Sequence, residues 1–116
     1  MIKVYCYHKC STCAKALKYL SDNNIPHEVI DIKEDHPSYE VLKKLYERSD
    51  LPLKKFFNTS GQLYKAMELS KKLPSMSEEE QLRLLSSDGM LVKRPLLFSE
   101  ETVLVGFKEE TWAKLK

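Results

Sequence analysis

Glycine is scarce in this chain: three occur in 116 residues, and nowhere do they join serine in a linker. Low-complexity segments and internal repeats are absent too, which argues against a repeat array or a tethered pair of domains. No apolar run approaches the ~20 residues of a membrane span, and the N-terminus lacks the apolar core of a secretory signal. Charge of one sign is also missing. Nineteen Lys and Arg against seventeen Asp and Glu leave +2, too little to argue for nucleic acid, and the charges are interspersed as on solvated helix faces. Cysteine is sparse and odd in number, three in all, which does not make a secreted disulfide framework. These absences predict a cytoplasmic protein with no membrane association and no direct nucleic-acid binding. A chain of this length buries about two-thirds of its unfolded surface, so one domain spanning residues 1–116 is expected. Its 42% hydrophobic and 31% charged residues are ordinary for a globular protein.

What is present concentrates near the start. Cys10-Ser11-Thr12-Cys13 lies between Ile2-Lys3-Val4-Tyr5-Cys6-Tyr7, β-branched and aromatic like a strand, and Ala14 to Asn23. In the latter, Ala16, Leu17 and Leu20 fall on one helical face. The motif therefore sits on a strand-to-helix turn, with Cys10 just outside the helix and Cys13 in its first turn. Unpaired N–H groups and the positive end of the helix dipole favour a thiolate there.

Asn23-Asn24-Ile25-Pro26 ends that helix, and His27 to Ile32 reads as a second strand, completing a βαβ unit. A second helix carries Tyr39, Leu42, Leu45 and Tyr46 on one face and stops before Pro52. Between Leu53 and Pro74 the pattern predicts short helices either side of the turn Asn58-Thr59-Ser60-Gly61. Ser77-Glu78-Glu79-Glu80 is a capping box for a helix ending near Asp88-Gly89. Leu96-Leu97-Phe98 and Val103-Leu104-Val105 flank a hairpin turn, and a short helix around Thr111-Trp112 closes the chain. Four strands with Cys-x-x-Cys after the first predict an α/β, thioredoxin-like fold. The helical block of about 38–89 would be an insertion between the second and third sheet strands.

Cys10 and Cys13 read as a reversible disulfide, with Cys10 the more exposed nucleophile and Cys13 the resolving thiol, brought onto one face by their i, i+3 spacing. Half a zinc site is an alternative, since Cys6 and His8 supply the right ligand types, but these ligands crowd one strand and its end, so no metal is expected. Two inert buried thiols are another. Cys6 alternates with Val4 and reads as a buried small hydrophobe. His8 either tunes the Cys10 thiolate as a nearby cation or is only a polar residue at a strand end. Arg94-Pro95 precedes the third strand, where proline costs no ladder bond. In a thioredoxin-like fold this proline would be cis and face the thiols, leaving Arg94 beside them as a permanent guanidinium.

Four blocks, in order, carry a resemblance: Cys10-Ser11-Thr12-Cys13-x-Lys15-Ala16; Phe57-Asn58-Thr59-x-Gly61; Leu91-x-Lys93-Arg94-Pro95; and Val103-Leu104-Val105-Gly106-Phe107-x-Glu109 with Trp112. Together they resemble the ArsC/Spx family, thioredoxin-fold proteins related to glutaredoxin-coupled arsenate reductases. The resemblance implies the helical insertion, the cis peptide at Pro95 and a nucleophilic role for Cys10, with Arg94, Pro95 and Asn58 as substrate-binding positions.

Arsenate reductases of this family carry three arginines around the nucleophile. Arg94 matches one; the other positions fall on Asn58 and Gly106, which removes most of the bidentate oxyanion recognition. Spx-type regulators share the Cys-x-x-Cys switch and bind the α subunit of RNA polymerase, but they usually continue in a charged tail. The expectation is a thiol-disulfide redox protein without a cofactor, working with thioredoxin or with glutathione and glutaredoxin. The alternatives are an Spx-like redox-sensing regulator and a genuine arsenate reductase.

Overall fold

The β-branched and aromatic residues at the start of the chain build the strand around which the rest is arranged. In the computed structural model, which describes residues 1–116, the elements in chain order are β1 (Ile2–Cys6), α1 (Ser11–Asp22), β2 (His27–Asp31), α2 (Tyr39–Ser49), α3 (Gln62–Ala66), α4 (Leu69–Lys72), α5 (Glu78–Ser87), β3 (Leu96–Phe98), β4 (Val103–Val105) and α6 (Glu109–Trp112). Short 3-10 turns occupy Leu53–Phe56, Leu73–Ser75, Gly89–Leu91 and Ala113–Leu115. The strands form one sheet in the order β2-β1-β3-β4. β1 and β2 run parallel, with Ile2 opposite His27, while the β1–β3 and β3–β4 pairs are antiparallel.

A strand covered on both faces loses the alternation of polar and apolar residues. Val4, Tyr5 and Cys6 are consecutive and all buried. The two-residue period still sorts them. Val4, Cys6 and Leu97 pack with Cys13, Ala16, Leu20, Ile25 and Trp112 on one face. Tyr5 and Leu96 face the larger cluster that includes Ile32, Leu42, Leu45, Leu82 and Leu85. The sheet is thus a middle layer, with α1 and α6 on one side and the helices from α2 to α5 on the other.

Local chemistry sets where the elements stop. Ile25 N–H bonds to Leu20 C=O and Asn24 N–H to Ser21 C=O, with Asn24 in the left-handed region at φ 55°. This is a Schellman ending in which Asn stands for the usual glycine, and its two outer residues, Leu20 and Ile25, bury each other. Ser38 caps α2 by accepting from Val41 N–H. The capping box on α5 forms in both directions: Glu80 N–H to Ser77 Oγ at 3.1 Å, Ser77 N–H to Glu80 Oε1 at 3.0 Å. The βαβ unit, the second helix and the hairpin stand where the pattern puts them. α1 opens at Ser11, with Cys10 as its N-cap and Cys13 in its first turn, as the placement of the motif predicts. Residues 53–75 are a chain of 3-10 and α turns around the loop ending at Gly61. No helix is long and apolar enough to cross a membrane.

Candidate functional site

Cys10 and Cys13 meet where β1 ends and α1 begins. Cys10 N–H bonds to Tyr7 C=O at 3.0 Å, folding the connection into a tight turn. Cys10 is then the N-cap of α1, in an extended conformation with no side-chain capping bond, so its thiol is not engaged with the helix end. It is half-buried, whereas Cys13, on the inward face of the first turn, is 1% exposed. All three cysteines carry free thiols.

Cys13 is the hub of this arrangement. Its Sγ accepts the Tyr7 backbone N–H at 3.4 Å, and Cys6 shares its buried cluster, with Cys10 packed against it. The neighbouring Cys6 thiol, with further help from the Tyr7 N–H, the Cys10 thiol and the charge of Arg94, lowers the Cys13 pKa to about 6 against the opposing effect of burial. Cys6 moves the other way: the neighbouring Cys13 sulfur, burial, and the charges that Cys13 and Cys10 can carry all raise its pKa. The assignment has a structural basis, since Cys13 lies in the first turn of a helix and Cys6 on a strand with no helix end beside it. Cys6 is buried as its strand parity predicts, and it lies in the same apolar cluster as Cys13. Parity marked it as inward-facing and had no means of naming the helical residue it meets.

The Arg94–Pro95 peptide is cis and Pro95 is buried at the entrance to β3. The Arg94 guanidinium stacks over the Tyr7 ring at 5.1 Å, and its charge acts on Cys13. Its Nε and Nη1 are buried without a hydrogen-bond partner. Pro95 C=O accepts from Gly106 N–H at 2.8 Å, and Gly106 C=O in turn accepts from Trp112 Nε1–H at 3.2 Å. Gly106 has φ +78°, a conformation that an arginine there would enter only with strain.

Asn58 is brought to the same neighbourhood through backbone bonds. Its N–H donates to Leu91 C=O at 2.8 Å, beside the Phe57–Val92 bridge and the Lys93 N–H bond to Phe56 C=O. Its side chain packs on Gly61, where a Cβ would come within 2.7 Å of Nδ2. That contact explains the glycine of the Asn-Thr-x-Gly turn. His8 is exposed and stacks edge-on with Tyr7 at 5.0 Å. No set of three or more His, Cys, Asp or Glu side chains is arranged to hold a metal ion. A groove of about 500 Å³ opens beside the motif, lined by Thr12, Lys55, Lys93, Phe107 and Lys108 among others.

A mixed sheet ordered β2-β1-β3-β4, with Cys-x-x-Cys at the start of the first helix and a cis proline entering β3, defines a thioredoxin-like α/β protein. The ArsC family model matches residues 5–115, and the chain belongs to the ArsC family. It is 56% identical over 113 residues to the uncharacterised protein YusI of Bacillus subtilis, covering 94% of this chain and 96% of that one. An ArsC family related protein from Bacteroides fragilis superimposes with a TM-score of 0.97 at 54% identity, over 99% of this chain and 97% of that one. A possible arsenate reductase from Streptococcus mutans gives a TM-score of 0.88 at 46% identity, over 93% and 92% of the two chains. The global transcriptional regulator Spx 1 of Bacillus cereus is 23% identical over 110 residues, which cover 95% of this chain and 82% of that one.

Proposed function

We propose that the protein is a thiol-disulfide oxidoreductase whose working couple is Cys10 and Cys13, within one thioredoxin-like unit of residues 1–116 that carries residues of about 38–89 as a helical insertion. The observation that carries this reading is the pairing of an accessible, uncapped Cys10 thiol with a buried Cys13 sulfur held towards its thiolate. As Cys10 attacks one sulfur of a substrate disulfide, its proton passes to the adjacent Cys13 sulfur. The substrate S–S bond breaks, and half of the substrate leaves as a thiolate. Cys13 then gives up its proton and attacks Cys10 Sγ, releasing the second substrate thiol and forming the Cys10–Cys13 disulfide. The substrate gains two electrons and the protein loses two. A thiol reductant in the cytoplasm, thioredoxin or glutathione with glutaredoxin, restores the pair. Arg94 supplies fixed positive charge, Pro95 shapes the wall facing the thiols, and Asn58 ties the neighbouring loop to the strand leading into Arg94.

Similarity to the Spx regulators favours a second reading, in which the same disulfide switches contact with a protein such as the RNA polymerase α subunit. Both readings require the intramolecular bond. Mild oxidation followed by peptide mass analysis should show a loss of two hydrogens in one peptide containing both Cys10 and Cys13. A Cys6–Cys10 bridge or an intermolecular bridge in its place would overturn the assignment. Trapping mixed disulfides in cells with Cys13→Ser then separates the readings, by whether the captured partner is consumed as a substrate or bound as a target.

A further inference from the structure

β4 is an outer strand of the sheet and pairs with β3 on one side only. Ser99 N–H bonds to Thr102 C=O at 2.9 Å, and Gly106 N–H to Pro95 C=O at 2.8 Å. In an antiparallel ladder every second residue turns its N–H and C=O towards the partner strand. Thr102 and Gly106 fix that parity, so Val103 and Val105 turn theirs outward, to the free edge. Such an edge is a template for another extended chain. The groove of about 500 Å³ beside the motif lies along it, with Val103, Val105 and Gly106 in its lining.

The charge in this groove is of one sign. Lys55, Lys93 and Lys108 line it, and no Asp or Glu does. None of the three forms an ion pair within the protein. Their concentration here is local, since the whole chain carries only +2. Backbone bonds fix where they stand. Lys93 N–H to Phe56 C=O, at 2.7 Å, joins the turn carrying Lys55 to the segment entering the cis proline. Lys108 is the N-cap of α6, with extended backbone. Lys93 Cε lies 3.5 Å from where a Cβ on Gly106 would stand, so its chain reaches across the end of β4.

We propose that the free edge of β4 and these three lysines form a docking site for an extended acidic segment of a protein substrate. The segment pairs its backbone with Val103 and Val105 and sets carboxylates against Lys55, Lys93 and Lys108. This rests on the oxidoreductase reading above and gives it a substrate class, a protein disulfide whose cysteine is flanked by Asp and Glu. Thr12, inside the Cys-x-x-Cys motif, lines the same groove, so a segment lying there runs up to the thiols. Backbone pairing supplies affinity for any extended chain, and the lysines select among chains by charge. The exchange at Cys10 is the one already described, with no further bond made or electron moved.

Short peptides with a central cysteine activated as a 2-thiopyridyl disulfide report docking through the rate at which Cys10 releases thiopyridone. One carries glutamate at alternate positions, one carries glutamine there, and one keeps the glutamates but has N-methyl groups on alternate amides. Each exposed ion pair is worth about twofold, so the acidic peptide should react roughly tenfold faster than the neutral one at low salt. That ratio should approach one at about 1 M salt. Taking the ratio within each variant cancels any change in the reactivity of Cys10 itself. Lys55→Gln/Lys93→Gln/Lys108→Gln should bring it close to one, and N-methylation should slow the acidic peptide on the wild type. Equal rates for the acidic and neutral peptides, a ratio kept in the triple variant, or no effect of N-methylation overturns the proposal. Glutathione disulfide competing as well as the acidic peptide also overturns it, because a small anion would then suffice without the strand edge. A second arm follows the fluorescence anisotropy of the labelled acidic peptide, with serine for its cysteine, on Cys10→Ser/Cys13→Ser protein. Saturable binding that the lysine substitutions weaken supports the docking site, and no binding overturns it. If no peptide releases thiopyridone, the oxidoreductase reading fails, and the anisotropy arm still decides whether the groove takes an acidic chain.

Discussion

At the scale of single residues, the positions where this chain departs from an oxyanion site are as informative as its thiols. Each charge-assisted bond to an anion contributes roughly 1.5–3 kcal/mol, and a tetrahedral oxyanion needs several fixed donors to compete with water. Arg94 offers a buried guanidinium with unpartnered donors. Asn58 instead spends its side chain on packing against Gly61, and Gly106 holds a backbone angle suited to glycine. The expected outcome is no robust, saturable turnover of arsenate with either thioredoxin or glutathione and glutaredoxin as electron donor. Saturable turnover that disappears in Cys10→Ser would return the protein to the reductases. The Cys10–Cys13 spacing and the Arg94-Pro95 pair stand out in the linear sequence because each is a local pattern. The Cys6–Cys13 contact does not, since it joins a strand to a helix and depends on their packing. His8 is adjacent to the motif in sequence, and the structure sets its ring against Tyr7.

Secondary-structure elements were most legible where side chains bond to their own backbone. Ser77 and Glu80 close a reciprocal box, so the start of α5 follows from four letters of sequence. Ser77→Ala should cost about 1 kcal/mol, read as a lower urea midpoint with an unchanged slope. The other end of α5 falls at Asp88-Gly89 as the pattern predicts, but sequence does not display why glycine stands there. A Cβ on Gly89 would stand 1.8 Å from Ile32 C=O, so the 3-10 turn after α5 lies directly on the chain leaving β2. Gly89→Ala should therefore destabilise the protein more than Ser77→Ala, because backbone and not a flexible side chain must yield. Equal midpoints for the two variants would contradict that ordering. The segment 53–75 shows short helical turns either side of Asn58–Gly61, as the pattern predicts, but sequence sets their bounds only loosely. Its turns are too short to show a helical period, and they are held by burying Phe56, Tyr64, Leu69 and Leu73 in the core beneath them.

Across the whole molecule, the central sheet couples the thiols to folding. Cys6 and Cys13 belong to the same apolar cluster as Val4, Leu20, Leu97 and Trp112, so unfolding exposes both sulfurs to water and separates them. The Cys13 pKa is about 6 in the folded chain against an ordinary 9.0, so between those values the unfolded chain binds a proton there that the native one does not. Stability of the reduced protein should therefore climb as pH rises from about 6 to about 9, and be lost again as pH falls back through 6. Cys6 has the opposite sign. Its folded pKa is raised, so above about 9 the unfolded chain releases a Cys6 proton that the native chain keeps, and stability declines. Tyr5, buried on the other face with a raised pKa, adds to the alkaline decline. Urea midpoints of the fully reduced protein across this range should thus pass through a maximum near pH 9. Cys13→Ser removes the titrating sulfur, and its profile should lose the rise between 6 and 9 while keeping the alkaline fall of Tyr5. A wild-type profile that is flat across that window, or a rise of equal size in Cys13→Ser, would show that Cys13 does not carry the charge in the folded protein.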